Sequence, residues 1–210
     1  MNITIFGASG RTGQQLVSQA LERGHHVTAY VRRPESLTVQ HYGLRVITGM
    51  LNEPDKLREA IAGADACLSV LGGNSLCKRS VAFTNGIDRI VNLMEQEGVP
   101  RFIYLSSVGA GESRNFLPQP LRFLIADVML RVPLADHQAN EQRIVNSTLQ
   151  WTVVRPGGLA DGPPTGKCLH GSDKTVFKSN TSIPRADVAA FMLDQLTDTA
   201  YVKKAVWLKV

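Results

Sequence analysis

The sequence predicts an α/β domain built on a doubly wound, mostly parallel sheet with helices on both faces. Three observations carry that prediction. Short apolar runs alternate with helix-period segments from one end of the chain to the other. The stretches between runs are long enough for crossover helices, which parallel pairing requires. A glycine pattern, Gly7-x-x-Gly10-x-x-Gly13, lies between the first apolar run and the first helical pattern.

In chain order, the expected strands are 3–6, 27–31, 44–47, 66–70, 102–105, 152–154 and a late one around 205–208. Leu16, Val17, Ala20 and Leu21 lie on one face of the first helix, which should stop at Gly24, a usual residue just past a helix end. Phe83, Ile87, Ile90, Val91 and Met94 share one face of a longer helix. A third helix should start at Pro184 and turn Val188, Phe191, Met192 and Leu196 inward. Two segments break the rhythm. Segment 114–136 is rich in Leu, Phe and Pro and precedes a helix carrying His137 and Glu141, and segment 156–171 is a Gly/Pro-rich loop. Both should lie at the carboxyl ends of the strands, where open α/β sheets bind their ligands.

Composition narrows the function classes. At 210 residues the chain suits one domain spanning 1–210, and 43% hydrophobic with 20% charged residues is ordinary globular composition. The net charge of +5 suits an anionic partner such as a dinucleotide phosphate, or a plain solvated surface. No basic run is interleaved with aromatics, so nucleic acid is not expected as a partner. Cys67, Cys77 and Cys168 cannot all pair and show no metal-ligand spacing, so we expect reduced thiols and no metal. No stretch approaches the roughly 20 apolar residues of a membrane span, and the expected location is cytoplasmic.

The glycine pattern has a phosphate-binding geometry. Gly7 would allow a tight turn, Gly10 would admit a pyrophosphate to the backbone, and Gly13 would let helix and strand pack closely. Ser9, Arg11 and Thr12 belong to the same loop. A glycine triplet alone is weak evidence, but here a strand precedes it and an amphipathic helix follows. With its two-residue spacing between the first two glycines, the chain resembles the atypical short-chain dehydrogenase/reductases. Within that Rossmann-type group it is similar to the NAD(P)H-binding family that includes flavin reductase/biliverdin reductase B and NmrA-like proteins.

At the end of the second strand an NAD-specific site would carry a carboxylate for the ribose hydroxyls. This chain has Arg32 and Arg33 there, about 20 residues after the glycine loop, and a guanidinium favours a 2′-phosphate. The expected cofactor is therefore NADP(H), with Arg32 the better match to the family arginine and Arg11 adding to the same phosphate. Similar proteins carry Asp after the glycine that follows the third strand, where it contacts adenine. Here Gly49 is followed by Met50 and Leu51, so Met50 could pack on the base but that hydrogen bond is lost.

The resemblance also assigns the remaining site residues. Leu71, Gly72 and Gly73 would run beneath the ribose and pyrophosphate, Ser106 or Ser107 would lie near the nicotinamide, and Pro156 and Gly157 would let backbone approach that ring. His137, beside Asp136 and one helical turn from Glu141, is the candidate acid, and Arg155 would bind substrate or form a structural pair. None of Tyr30, Tyr42, Tyr104 and Tyr201 has Lys four residues later, so the Tyr-x-x-x-Lys pair that protonates an alkoxide is missing. Flat conjugated acceptors need it less, because their rings spread the incoming charge. The expected activity is thus NADPH-dependent hydride transfer to a flavin, quinone or tetrapyrrole-like acceptor, with Ser107 and His137 as catalytic candidates. The alternative is a non-enzymatic NADP(H)-sensing regulator. A monomer or weak homodimer is expected.

Overall fold

The computed structural model describes residues 1–73, 75–116, 119, 128–173 and 182–210. Ten strands and five α-helices are found among the described residues. The strands are β1 (Asn2–Phe6), β2 (His26–Val31), β3 (Leu44–Thr48), β4 (Ala66–Ser69), β5 (Arg101–Leu105), β6 (Gln150–Pro156), β7 (Gly158–Ala160), β8 (Leu169–Gly171), β9 (Ser182–Pro184) and β10 (Lys204–Lys209). The helices are α1 (Arg11–Glu22), α2 (Pro54–Ile61), α3 (Val81–Glu97), α4 (Arg131–Val145) and α5 (Arg185–Asp194). The main sheet runs β3-β2-β1-β4-β5-β6-β10-β8, parallel throughout except for the antiparallel β10–β8 pair. The order reverses between β1 and β4, the switch point at which such sheets open a ligand crevice.

Alternation within the strands builds two cores. Ile3 and Ile5 face α1 and α5, where they meet Leu16, Val17, Val188 and Met192. Phe6, Tyr30 and Tyr104 face α2, α3 and α4, where Leu57, Ile87, Ile90 and Met94 close over them. Each fully buried side chain of this kind contributes about 1.5–3 kcal/mol. At the end of the sheet opposite the crevice, Arg101 is buried and satisfied by two backbone carbonyls and one hydroxyl. Its guanidinium donates to Gln195 O, Gln150 O and Thr152 Oγ1, and burial lowers its pKa to about 10.

All seven expected strands form, most of them a residue longer at one end or both. Gly24 adopts the left-handed conformation (φ 78°) just past α1, as expected of a helix stop. Several details differ. Pro184 ends β9 and the helix begins at Arg185, because the proline is extended (φ −55°, ψ 137°). Segment 156–171 is not all loop, since β7 pairs with β9 and β8 adds to the sheet beside β10. The helix with His137 and Glu141 starts at Arg131, inside segment 114–136, with Pro133 tolerated in its first turn. Residues 117–118 and 120–127 of that apolar segment lie outside the described residues.

The packing of α1 on the turn after β1 has no slack. A Cβ on Gly13 would lie 2.1 Å from Gly7 O and 2.7 Å from Ala8 C, whereas one on Gly10 would meet only Gly7 O, at 3.3 Å. Gly13→Ala should therefore cost about 3 kcal/mol and Gly10→Ala about 1 kcal/mol. Urea unfolding of the two variants checks the difference.

Candidate cofactor and active site

A cleft of about 560 Å³ opens at the carboxyl ends of β1, β2, β3 and β4 and is closed on one side by α3. It brings together Gly7, Ser9 and Gly10 with Arg32, Met50, Leu51, Leu71 and Gly72, all expected at a dinucleotide. Gly7 has φ 83°, and a Cβ there would meet the backbone of Val70 and Leu71 at 3.0 Å. The turn after β1 thus presses on the end of β4. Gly10 caps α1 with no side-chain cap, which leaves the helix N-terminus open toward the cleft. Thr12 and Gly13 are buried beneath this turn and pack it rather than line the cleft.

The arginines divide by their commitments. Arg32 and Arg33 are exposed, and their guanidinium groups make no hydrogen bond or ion pair among the described residues; only the Arg33 carbonyl is engaged, by Ser36. Arg11 is engaged instead by Asp161 at 2.8 Å, and the same carboxylate takes Arg185 at 2.6 Å. Arg89, which sequence reasoning missed, reaches the cleft from α3 one turn after Asn85, with its guanidinium 3.4 Å from Leu51 O. No Asp or Glu lines the cleft among the described residues.

At the end of β3, Tyr30 Oη donates to Met50 O at 2.9 Å, and the Met50 N–H donates to Glu53 Oε2 at 2.5 Å. Gly49 is required by that ring, since a Cβ would lie 2.3 Å from Tyr30 Oη. Burial, with Glu53 and Glu59 nearby, pushes the Tyr30 phenol up to about 12, so it stays a donor. Met50 is half exposed, while Leu51 packs on Gly86 of α3.

The expected nicotinamide-side residues sit at the ends of β5 and β6, outside the lining of this cleft. Ser106 is buried and donates to Glu141 Oε1 at 2.5 Å, while the half-buried Ser107 donates to Val108 O at 3.1 Å. Pro156 O accepts from the Val108 N–H, and the Gly157 N–H donates to Leu208 O. Arg155 is a structural pair. Its guanidinium grips Glu141 at 3.0 and 2.6 Å and Glu112 at 2.7 and 3.3 Å. Burial alone would lower its pKa, but the two carboxylates outweigh that and hold it fully charged.

Behind Phe83, His137 Nδ1 lies 2.8 Å from Tyr104 Oη, which also accepts from Asn140 Nδ2. Burial pushes the Tyr104 phenol up, so its proton stays on and faces the imidazole. Burial also pushes His137 down to about 4, against the opposing pull of Asp136. At neutral pH this is a neutral imidazole, not a charged acid. Asp136 itself is bonded to Arg79 and caps α3 through the Ser80 N–H, which ties the β4–α3 loop near Gly73 to α4. Asp187, a fold residue by its placement, accepts from the Thr165 N–H and hydroxyl and from the Gly166 N–H, anchoring the loop after β7.

Comparison with known proteins gives the chain's family and shows that its fold is shared. Residues 7–199 match the family described as NAD(P)H-binding. A chloroplastic protein of Arabidopsis thaliana is 30% identical over 86% of this chain and 67% of its own length. An anaerobilin reductase from Escherichia coli O157:H7 superposes with a TM-score of 0.83 at 24% identity, over 100% of this chain and 97% of that one. A short-chain dehydrogenase/reductase from Veillonella parvula in complex with NADP gives 0.83 at 21% identity, over 100% and 94%. Among the described residues no helix is long and apolar enough to cross a membrane.

Two outcomes follow from the buried groups. Arg155→Met strands Glu141 without its cation and should cost about 3–5 kcal/mol in urea unfolding, with partial recovery when Glu141→Gln is added. Folded His137 binds its proton only near pH 4, the unfolded residue near 6.5. Its contribution to stability is whole above pH 6.5 and is lost as the pH falls toward 4, by about 2–3 kcal/mol. Unfolding free energies of His137→Phe across this window should fall by that much less than the parent's.

Proposed function

This chain belongs to the NAD(P)H-binding family, and on that footing we propose that it is an NADPH-dependent reductase passing hydride to a flat conjugated acceptor. The observation that carries the cofactor choice is Arg32, whose guanidinium is unpaired at the end of β2 in a cleft without a lining carboxylate, both among the described residues. A 2′-phosphate there meets forked donors and no repelling charge. The cradle fits a dinucleotide, because Gly10 leaves room for a phosphate against the α1 N-terminus where a side chain would intrude. Arg33 and Arg11 adjoin the lining residues Arg32 and Gly10 in the chain, and Arg11 would exchange Asp161 for phosphate.

The nicotinamide, when bound, supplies the hydride. The chain's own residues position and shield. Gly7 through Gly10 would fix the pyrophosphate, Leu71 and Gly72 would support the sugar between the two halves, and Ser106, Ser107, Pro156 and Gly157 would border the ring. Ser106 has its proton committed to Glu141, so its oxygen is oriented as an acceptor for a carboxamide N–H. Proton supply favours conjugated acceptors. With His137 neutral and Arg155 saturated by carboxylates, neither offers the strong acid that an isolated ketone demands. A flavin, quinone or tetrapyrrole spreads the incoming charge over its rings and takes its proton from water. The anaerobilin reductase of matching fold supports the tetrapyrrole end of this range. Reduced Cys67, Cys77 and Cys168 suit a cytoplasmic enzyme.

NADPH absorbance followed with FMN, riboflavin, biliverdin and simple quinones tests the reading. Acceptor-dependent oxidation is expected, with Ser107→Ala slowing it. Arg32→Glu should weaken NADPH binding by about 30- to 100-fold and leave NADH binding near its starting value. Tight NADPH binding with no turnover on any acceptor would instead mark an NADP(H)-sensing regulator.

A further inference from the structure

The 2′-phosphate assigned to Arg32 also locates the base, since both are carried by one ribose. The elements flanking Arg32 across the cleft are the end of β3, with Met50 and Asn52, and the face of α3 carrying Asn85 and Arg89. These two walls are joined, because Leu51 packs on Gly86 and its carbonyl lies against Arg89. The polar groups of Met50 are already taken, its N–H by Glu53 and its carbonyl by Tyr30. Glu53 is thereby withdrawn from the cleft, which it does not line. Beyond Leu51, these two walls contribute two side-chain amides, a thioether and a guanidinium to the lining of the cleft.

An amide differs from a carboxylate in one respect that decides base selectivity. A carboxylate only accepts hydrogen bonds, so it demands the exocyclic amino group of adenine. An asparagine offers both an NH₂ and a carbonyl, and can present either first by rotating its amide. Adenine shows a donor at N6 beside an acceptor at N1, whereas hypoxanthine shows an acceptor at O6 beside a donor at N1. Asn52 and Asn85 can satisfy both patterns, and neither side chain has a hydrogen-bond partner among the described residues. Stacking by a guanidinium or a thioether is equally indifferent, since every purine has a π-face.

We propose that the amides of Asn52 and Asn85 make this site indifferent to the exocyclic group of the purine, so that it binds adenine and hypoxanthine dinucleotide phosphates alike. The inference rests on the NADPH reading above and adds a specificity to it.

Titration calorimetry on the full chain, with NADPH and with its hypoxanthine analogue, tests both levels separately. The two dissociation constants should agree within about threefold, less than one hydrogen bond is worth. Met50→Asp places an acceptor-only group at the end of β3 without touching the core, and should turn the ratio to about tenfold or more in favour of adenine. Asn52→Ala with Asn85→Ala should weaken both ligands to the same extent. A parent protein that prefers NADPH by tenfold or more, or a Met50→Asp ratio that does not move, overturns the proposal while leaving NADPH binding intact. Failure to bind NADPH at all removes the functional reading and this inference together.

Discussion

The contact between Gly13 and the carbonyl of Gly7 sets the position of everything that follows it. At that spacing only a hydrogen fits on the Gly13 Cα, so α1 comes down directly on the turn that leaves β1. The helix axis then starts within the crevice, and its free N–H groups open onto the place where the strand order reverses. The same turn leans on the end of β4 through Gly7, so three elements share one tightly packed point. A looser crossing would still bury the apolar faces of helix and sheet. It would not aim the dipole.

Electrostatics sorts the molecule into two regions. Around β5, β6 and α4, carboxylates and arginines neutralise each other, and the extreme case is the buried Ser106–Glu141–Arg155 chain, which Glu112 joins from the surface. Such an arrangement is stiff because each member would be left costly and unpaired if another moved. The cleft on the other side of the switch point has the opposite character. There Arg32 is exposed and its guanidinium uncommitted, so field lines end on whatever anion arrives.

Most of the fold was legible because parallel interior strands are buried on both faces and read as continuous apolar runs. The helix α2 was not, since eight residues with only Leu57, Ala60 and Ile61 buried make too short a period to stand out. The three-residue β7, β8 and β9 escaped for a different reason. Their pairing is decided by distant segments, as Gly158 with Ser182 shows. In the site, the glycine turn could be read from the chain because its geometry is local. Position singled out Arg32, but which arginines are already paired could not be read. Arg11, Arg32 and Arg155 look alike in a sequence, and only the fold brings Asp161 to the first and Glu141 to the third. The neutral state of His137 was likewise hidden, for it comes from the packing around it and not from its neighbours in the chain.

The loop between β7 and β8 is held by side chains at fixed points. Asp161 is clamped by Arg185 and Arg11, and Thr165 and Gly166 hang on Asp187. Both inner mounts, Arg185 and Asp187, stand at the start of α5, so the loop's anchorage is independent of the residues strung between the clamps. Gly162, Pro163 and Pro164 are exposed there. In evolutionary terms this is a replaceable part on permanent fittings: apart from Gly162, whose φ of 136° suits only glycine, the stretch can drift in sequence while the dinucleotide side of the molecule stays as it is.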